Sequence, residues 1–192
     1  MSCKFSIVIA LAPERKIEVL ESLKLTDYDN KKYELIVEIG KNPSENRNRG
    51  IQRSKGEIIA FIDDDAVVDK NILKNAEEFF NEHKDIDVGG GPQLTPEDDS
   101  FFAKATGEAL SSFFGSYKMN SRYKSGNLNL DANEDSLTSA NLFVRRKVFN
   151  KIKGFDPLLF PGEDPELITR MKQNEIKVAY SPSIVVYHRR RN

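Results

Sequence analysis

The sequence predicts an α/β fold built on a mostly parallel sheet. Short runs of consecutive apolar residues, at residues 5–11 (FSIVIAL) and 57–62 (EIIAFI), suit strands covered on both faces. Between such runs lie stretches with helical spacing, so the first half alternates strand and helix, the pattern of parallel strands joined by crossovers. The length, 192 residues, and a hydrophobic content of 39% suffice for the core of one compact domain.

The elements follow in order. Pro13-Glu14 ends the first strand, and residues 15–25 carry Ile17 and Leu20 at helical spacing. Residues 33–39 (YELIVEI) form a second strand, residues 40–46 a turn, and residues 47–54 a helix stopped at Lys55-Gly56. The third strand, residues 57–62, runs straight into Asp63-Asp64-Asp65. Residues 71–83 are amphipathic, with Ile72, Leu73, Ala76, Phe79 and Phe80 on one face, and residues 87–91 make a short strand. The second half is less regular. It predicts a helix at 101–114, a long polar loop at 116–135, a strand at 139–144 and a short helix at 146–152. A helix at 163–174 turns Leu167, Ile168 and Met171 inward, and strands at 176–180 and 184–187 flank Pro182.

Composition excludes several classes. Lys and Arg (29) nearly cancel Asp and Glu (30), so a net charge of -1 gives no overall pull toward nucleic acid. Cys3 is the single cysteine, so there is neither an internal disulfide nor a cysteine metal cluster, which favours a reducing compartment. No apolar run reaches the ~18 residues of a membrane span, and Met1-Ser2-Cys3-Lys4 lacks the apolar stretch expected of a signal peptide. The expected location is cytoplasmic, at the inner membrane face if Arg189, Arg190 and Arg191 meet anionic lipid. A solvated basic tail is the plainer reading of those arginines. No phosphate loop, nucleophile elbow or zinc cluster is present.

The acidic run sits at the C-terminal end of a buried strand, the edge where open α/β sheets bind ligands. Adjacent carboxylates repel one another, and a divalent cation removes that cost. The plainer reading is a helix N-cap with an acidic first turn. Glu163-Asp164 opens a helix after Phe160-Pro161-Gly162; it suits a general base or an ordinary acidic helix start. His188, after the last strand, suits a Mn²⁺-like ion or a surface position. Arg47 and Arg49 suit phosphate or a base edge, or ordinary surface salt bridges.

Taken together these segments resemble the family 2 glycosyltransferases of GT-A fold. The resemblance rests on residues 5–11 with Pro13-Glu14, on Asn46-Arg47-Asn48-Arg49-Gly50 and on residues 54–65 (SKGEIIAFIDDD). It continues through residues 138–146 (TSANLFVRR), Gly154-Phe155-Asp156, Gly162-Glu163-Asp164 and Tyr187-His188. It implies a single GT-A domain over 1–192: a Rossmann-type, mostly parallel sheet flanked by helices, with a small antiparallel part. Residues 1–92 would be the nucleotide-binding half and 93–192 the acceptor-side half. It also implies inverting transfer from a nucleotide-diphosphate sugar to a hydroxyl-bearing acceptor, with Mn²⁺ or Mg²⁺ at the diphosphate and no nucleic acid partner. Asp164 is then the base and Glu163 an acceptor contact. Asp65 and His188 hold the metal, and Pro13, Glu14, Glu38, Arg47, Asp63 and Asp64 bind the donor. Relatives carry Asp-Asp-x-Ser-x-Asp after the second strand; here Glu38-Ile39-Gly40-Lys41-Asn42-Pro43-Ser44 stands in its place, with Glu38 replacing the first aspartate. The alternatives are a GT-A-shaped sugar-phosphate nucleotidyltransferase and a non-catalytic nucleotide- or sugar-binding module.

Overall fold

The computed structural model describes residues 3–96 and 121–188, together with residues 99, 105, 106 and 112. The main sheet joins β1 (Phe5–Leu11), β2 (Tyr33–Ile39), β3 (Ile58–Ile62), β5 (Val88–Gly90), β7 (Asn141–Arg145) and β8 (Val178–Tyr180). Their order is β2-β1-β3-β7-β5-β8, and β7 alone runs against its neighbours β3 and β5. A small second sheet has the order β4-β9-β6, from β4 (Ala66–Val68), β6 (Gln93–Leu94) and β9 (Val186–His188). The expected mixed α/β architecture with a mostly parallel sheet is therefore present.

The consecutive apolar runs arise because both faces of the sheet are covered. Along β3, Ile58, Ala60 and Ile62 face one core and Ile59 and Phe61 the other. The first core takes Val19 and Leu23 from α1 (Val19–Leu23) and Ile72, Leu73, Ala76, Phe79 and Phe80 from α3 (Ile72–Glu82). The second takes Val148 from α4 (Val148–Lys151) and Leu167, Ile168 and Met171 from α5 (Glu163–Gln173). Ile51 of α2 (Pro43–Arg53) packs on the same side.

Three elements depart from the sequence expectation. The helix expected over 15–25 shortens to α1, because Glu18 and Val19 donate their N–H groups to the Asp64 carbonyl (2.8 and 3.0 Å). The helix expected at 47–54 begins at Pro43, in the predicted turn: the Asn42 side chain accepts from the N–H groups of Ser44 (3.0 Å) and Glu45 (3.3 Å), and Pro43 follows it in the first turn. The segment after the acidic run is a strand, β4, and α3 starts only at Ile72. The helix-cap reading of Asp63-Asp64-Asp65 therefore falls. The polar loop is present over its described part and is tied to β8, where Asn129 and Tyr180 exchange backbone hydrogen bonds of 3.0 and 2.8 Å. The helix expected at 101–114 and the arginines at 189–191 lie outside the described residues, apart from residues 105, 106 and 112. Among the described residues, no helix is long and apolar enough to cross a membrane.

Candidate active site

Strand β3 delivers the acidic run to the C-terminal edge of the sheet. Beside it lies a cleft of about 230 Å³, lined by Arg15, Lys41, Arg47, Asp63, Asp64 and Glu163 among others. The edge of β1 (Ala10 and Ala12), the β2–α2 turn (Gly40 and Lys41) and Phe160 close its other sides. This is the position at which open α/β sheets take ligands. A larger hollow of about 600 Å³ lies at the other end of β3, lined by Glu57, Lys84, Arg145, Arg146, Lys147 and Asn150. Arg145 there donates to the carbonyls of Ile86 (2.9 Å) and Phe80 (2.8 Å), which makes it a structural residue.

The three aspartates differ in environment. Asp64 is 2% exposed; its Oδ1 meets Arg15 Nη1 at 2.9 Å, and its Oδ2 is buried without a hydrogen-bond partner. Burial pushes its carboxyl up, against the lowering pull of Arg15. Asp65 is pinned from two sides. Its Oδ1 accepts from His188 Nε2 at 2.9 Å, and its Oδ2 pairs with Arg15 Nη2. Burial works to raise it, but the hydrogen bond and charge of His188 and the charge of Arg15 outweigh burial and hold the carboxyl far below the usual range. Asp63 lies 3.5 Å from Arg47 Nη2 and 3.7 Å from His188 Nε2.

His188 reaches this edge through the second sheet. The β4–β9 register sets Ala66 opposite His188, so the imidazole lands beside Asp65. Hydrogen bonding to Asp63 and then to Asp65 pushes its pKa up to about 9, against the lowering effect of burial. Asp63, Asp65 and His188 each offer a ligand atom within 4.8 Å of the others. Two carboxylates and an imidazole form a donor set suited to Mn²⁺-like ions.

Across the cleft, Arg47 is 8% exposed and bridges the two acidic groups. Its Nη1 donates to Glu163 Oε1 at 3.0 Å, and its guanidinium lies 5.2 Å from the Phe155 ring centroid. Gly162 adopts φ +127, a conformation that L side chains rarely enter, and its N–H donates to Glu163 Oε2 at 3.1 Å. Glycine there sets Glu163 at the start of α5, facing Arg47. Asp164 follows it, and its Oδ1 is sealed from solvent without a hydrogen-bond partner. Burial pushes the Asp164 carboxyl up, against Arg47, which acts to lower it.

The structure thus brings Arg47, Asp63, Asp64, Asp65, Glu163 and His188 into one connected set of ion pairs, with Asp164 next to Glu163. Pro13 and Glu14 are exposed on the segment after β1. Glu38 is not among the cleft-lining residues. Its Oε2 accepts from Arg49 Nε (3.1 Å) and its Oε1 from Arg53 Nη1 (2.5 Å). Arg15 was not singled out by sequence reasoning, although it joins two of the three aspartates. The available signal was a cation directly after a strand that ends at the same sheet edge as the acidic run.

No curated protein matches the sequence. Among solved structures, Staphylococcus aureus TarS 1–349 in complex with UDP superposes with a TM-score of 0.72 at 18% identity, over 96% of this chain and 60% of that one. The complex of TarS 1–349 with UDP-GlcNAc gives 0.73 at 17% identity, over 98% and 59%. The mannosyltransferase PcManGT from Pyrobaculum calidifontis, in complex with GDP-Man and Mn²⁺, gives 0.65 at 13% identity, over 98% and 57%. This chain therefore spans about 60% of the TarS 1–349 length, and likeness at these identities establishes the shared fold. The family model for glycosyl transferase family 2 matches residues 15–153, well over half of the chain and inclusive of the acidic run and Arg47, and the chain belongs to that family.

Proposed function

We propose that the chain transfers a sugar from a nucleotide-diphosphate sugar to an acceptor hydroxyl, with inversion at the anomeric carbon. One observation carries the reading: Arg47 joins the acidic edge, through Asp63, to Glu163 at the start of α5, where the neighbouring Asp164 keeps one carboxylate oxygen sealed from solvent without a hydrogen-bond partner. The UDP, UDP-GlcNAc and GDP-Man in the similar structures support a donor of this class.

In this reading Asp65 and His188 would hold a divalent cation, Mn²⁺ or Mg²⁺, with Asp63 and Asp64 beside it toward the donor. Bound there, the cation stabilises the charge that develops on the departing diphosphate. Arg47 faces the phosphates with a forked donor. Pro13 and Glu14 border the donor at the end of β1. Glu38 can meet the base only by leaving Arg49 and Arg53, so its part is to hold the β2–α2 corner that sets Gly40 and Lys41 in the cleft wall. Glu163 orients the acceptor. Asp164 accepts the proton as the acceptor oxygen bonds to the anomeric carbon and the bond from that carbon to the diphosphate breaks. A raised pKa suits it for that task, since a base acts best when its pKa approaches the working pH.

A panel of UDP-, GDP- and dTDP-sugars tests the reading. The expected result is a Mn²⁺-dependent rise in melting temperature with one nucleotide class, followed by release of the free nucleoside diphosphate when an acceptor is supplied. Stabilisation with no release would indicate a binding module. Release of pyrophosphate from a nucleoside triphosphate and a sugar phosphate would indicate a nucleotidyltransferase.

A further inference from the structure

We infer that Arg15 is an exchangeable counter-ion of the acidic edge: it holds Asp64 and Asp65 while no donor is bound and turns onto the donor's diphosphate when a cation takes Asp65. The inference rests on the proposed donor site and adds a positioning residue to it. Arg15 stands with one nitrogen on each of two neighbouring carboxylates, Nη1 on Asp64 Oδ1 at 2.9 Å and Nη2 on Asp65 Oδ2. The Asp65 carboxylate is shared, because its other oxygen faces His188 and belongs to the three-residue cation set. A cation entering that set and the Arg15 guanidinium are like charges on one carboxylate, so each weakens the other's hold.

Arg15 also has somewhere to go. It lines the cleft, its side chain is 35% exposed, and it sits on the irregular segment between β1 and α1. A guanidinium fork matches diphosphate oxygens as well as it matches two carboxylates. The segment that carries it is tied to the acidic run by a second link, since the Asp64 carbonyl accepts from the N–H groups of both Glu18 and Val19. Cation and diphosphate then favour each other: the cation frees Arg15, and the diphosphate gives it a new partner.

The test measures Mn²⁺ binding alone, and UDP and GDP binding in saturating Mn²⁺, by calorimetry on the wild type, Arg15→Gln and Arg15→Lys. Arg15→Gln should bind Mn²⁺ alone about three- to tenfold more tightly than wild type, since a competing cation is gone. It should bind the nucleoside diphosphate about tenfold more weakly, having lost a charge-assisted contact. Arg15→Lys keeps one charge without the fork, so its Mn²⁺ affinity should fall between the two. It answers the question even if the glutamine variant folds poorly. Unchanged or weaker Mn²⁺ binding in both variants overturns the inference, as does unchanged diphosphate affinity in Arg15→Gln. If the wild type binds neither Mn²⁺ nor either nucleotide, the proposed donor site fails and the inference falls with it. If the wild type binds both and the variants match it, the inference alone fails.

Discussion

The charges of the site are placed in pairs whose partners come from distant parts of the chain. Arg47 spans Asp63 and Glu163, Arg15 spans Asp64 and Asp65, and His188 closes the set. Glu34 shows the same economy outside the site. Its Oε1 accepts from Ser6 Oγ and from the Lys55 N–H, both at 2.6 Å, and so ties β1 and β2 to the turn before β3. Burial acts to raise the Glu34 pKa, but the Ser6 hydrogen bond and the Lys55 amide outweigh it and hold the carboxyl below its usual range. A carboxylate whose folded pKa is depressed contributes stability above its unfolded pKa, about 4.3, and loses that contribution as pH falls through the lower folded value. Glu34→Gln should therefore be less stable than wild type at pH 7, and the gap should close below about pH 4. Urea midpoints at pH 7 and pH 3 check this. A gap that stays constant with pH would assign the effect to packing instead.

At the scale of elements, the strands that carry the site were legible because burial on both faces leaves a continuous apolar run, as in β1 and β3. The acidic run could be placed at a ligand edge for the same reason. The start of α2 was legible in principle, since Asn42 followed by Pro43 is a helix-start signal, but the polar run from Gly40 reads equally well as a turn. Asn42→Ala should cost about 1 kcal/mol of stability from the lost cap, and more if its Nδ2 bond to the Pro157 carbonyl (2.9 Å) also contributes. Urea denaturation measures it, and an unchanged midpoint would mean the cap is replaced by water. Strand β4 was not legible, because three residues, Ala66 to Val68, carry too little pattern to show a period. Its pairing with β9 is what brings His188 to Asp65, so the local pattern did not show that meeting, and only the family resemblance set the two on one metal. The link from Arg15 to the acidic run was hidden for a related reason: residues 15–18 have helical spacing, and only the Asp64 carbonyl's capture of the Glu18 and Val19 amides delays the helix to Val19.

Over the whole molecule, the acidic edge and Glu163-Asp164 come from distant parts of the sequence, and Arg47 joins them through Asp63 and Glu163. The half of the chain from β1 to α3 supplies the acidic edge, Arg15 and Arg47; the later segments supply Glu163, Asp164 and His188. The proposed reading gives the cation to Asp65 and His188 and the proton to Asp164, different residues, so the two roles should be separable by mutation. Asp164→Asn tests that most directly, with donor affinity measured by calorimetry and transfer measured by release of the nucleoside diphosphate. Donor and Mn²⁺ affinities should stay near wild type while transfer falls about 10²- to 10⁴-fold, the usual contribution of a general base. Loss of donor binding together with transfer, or transfer at the wild-type rate, would contradict the assignment of Asp164 as the base.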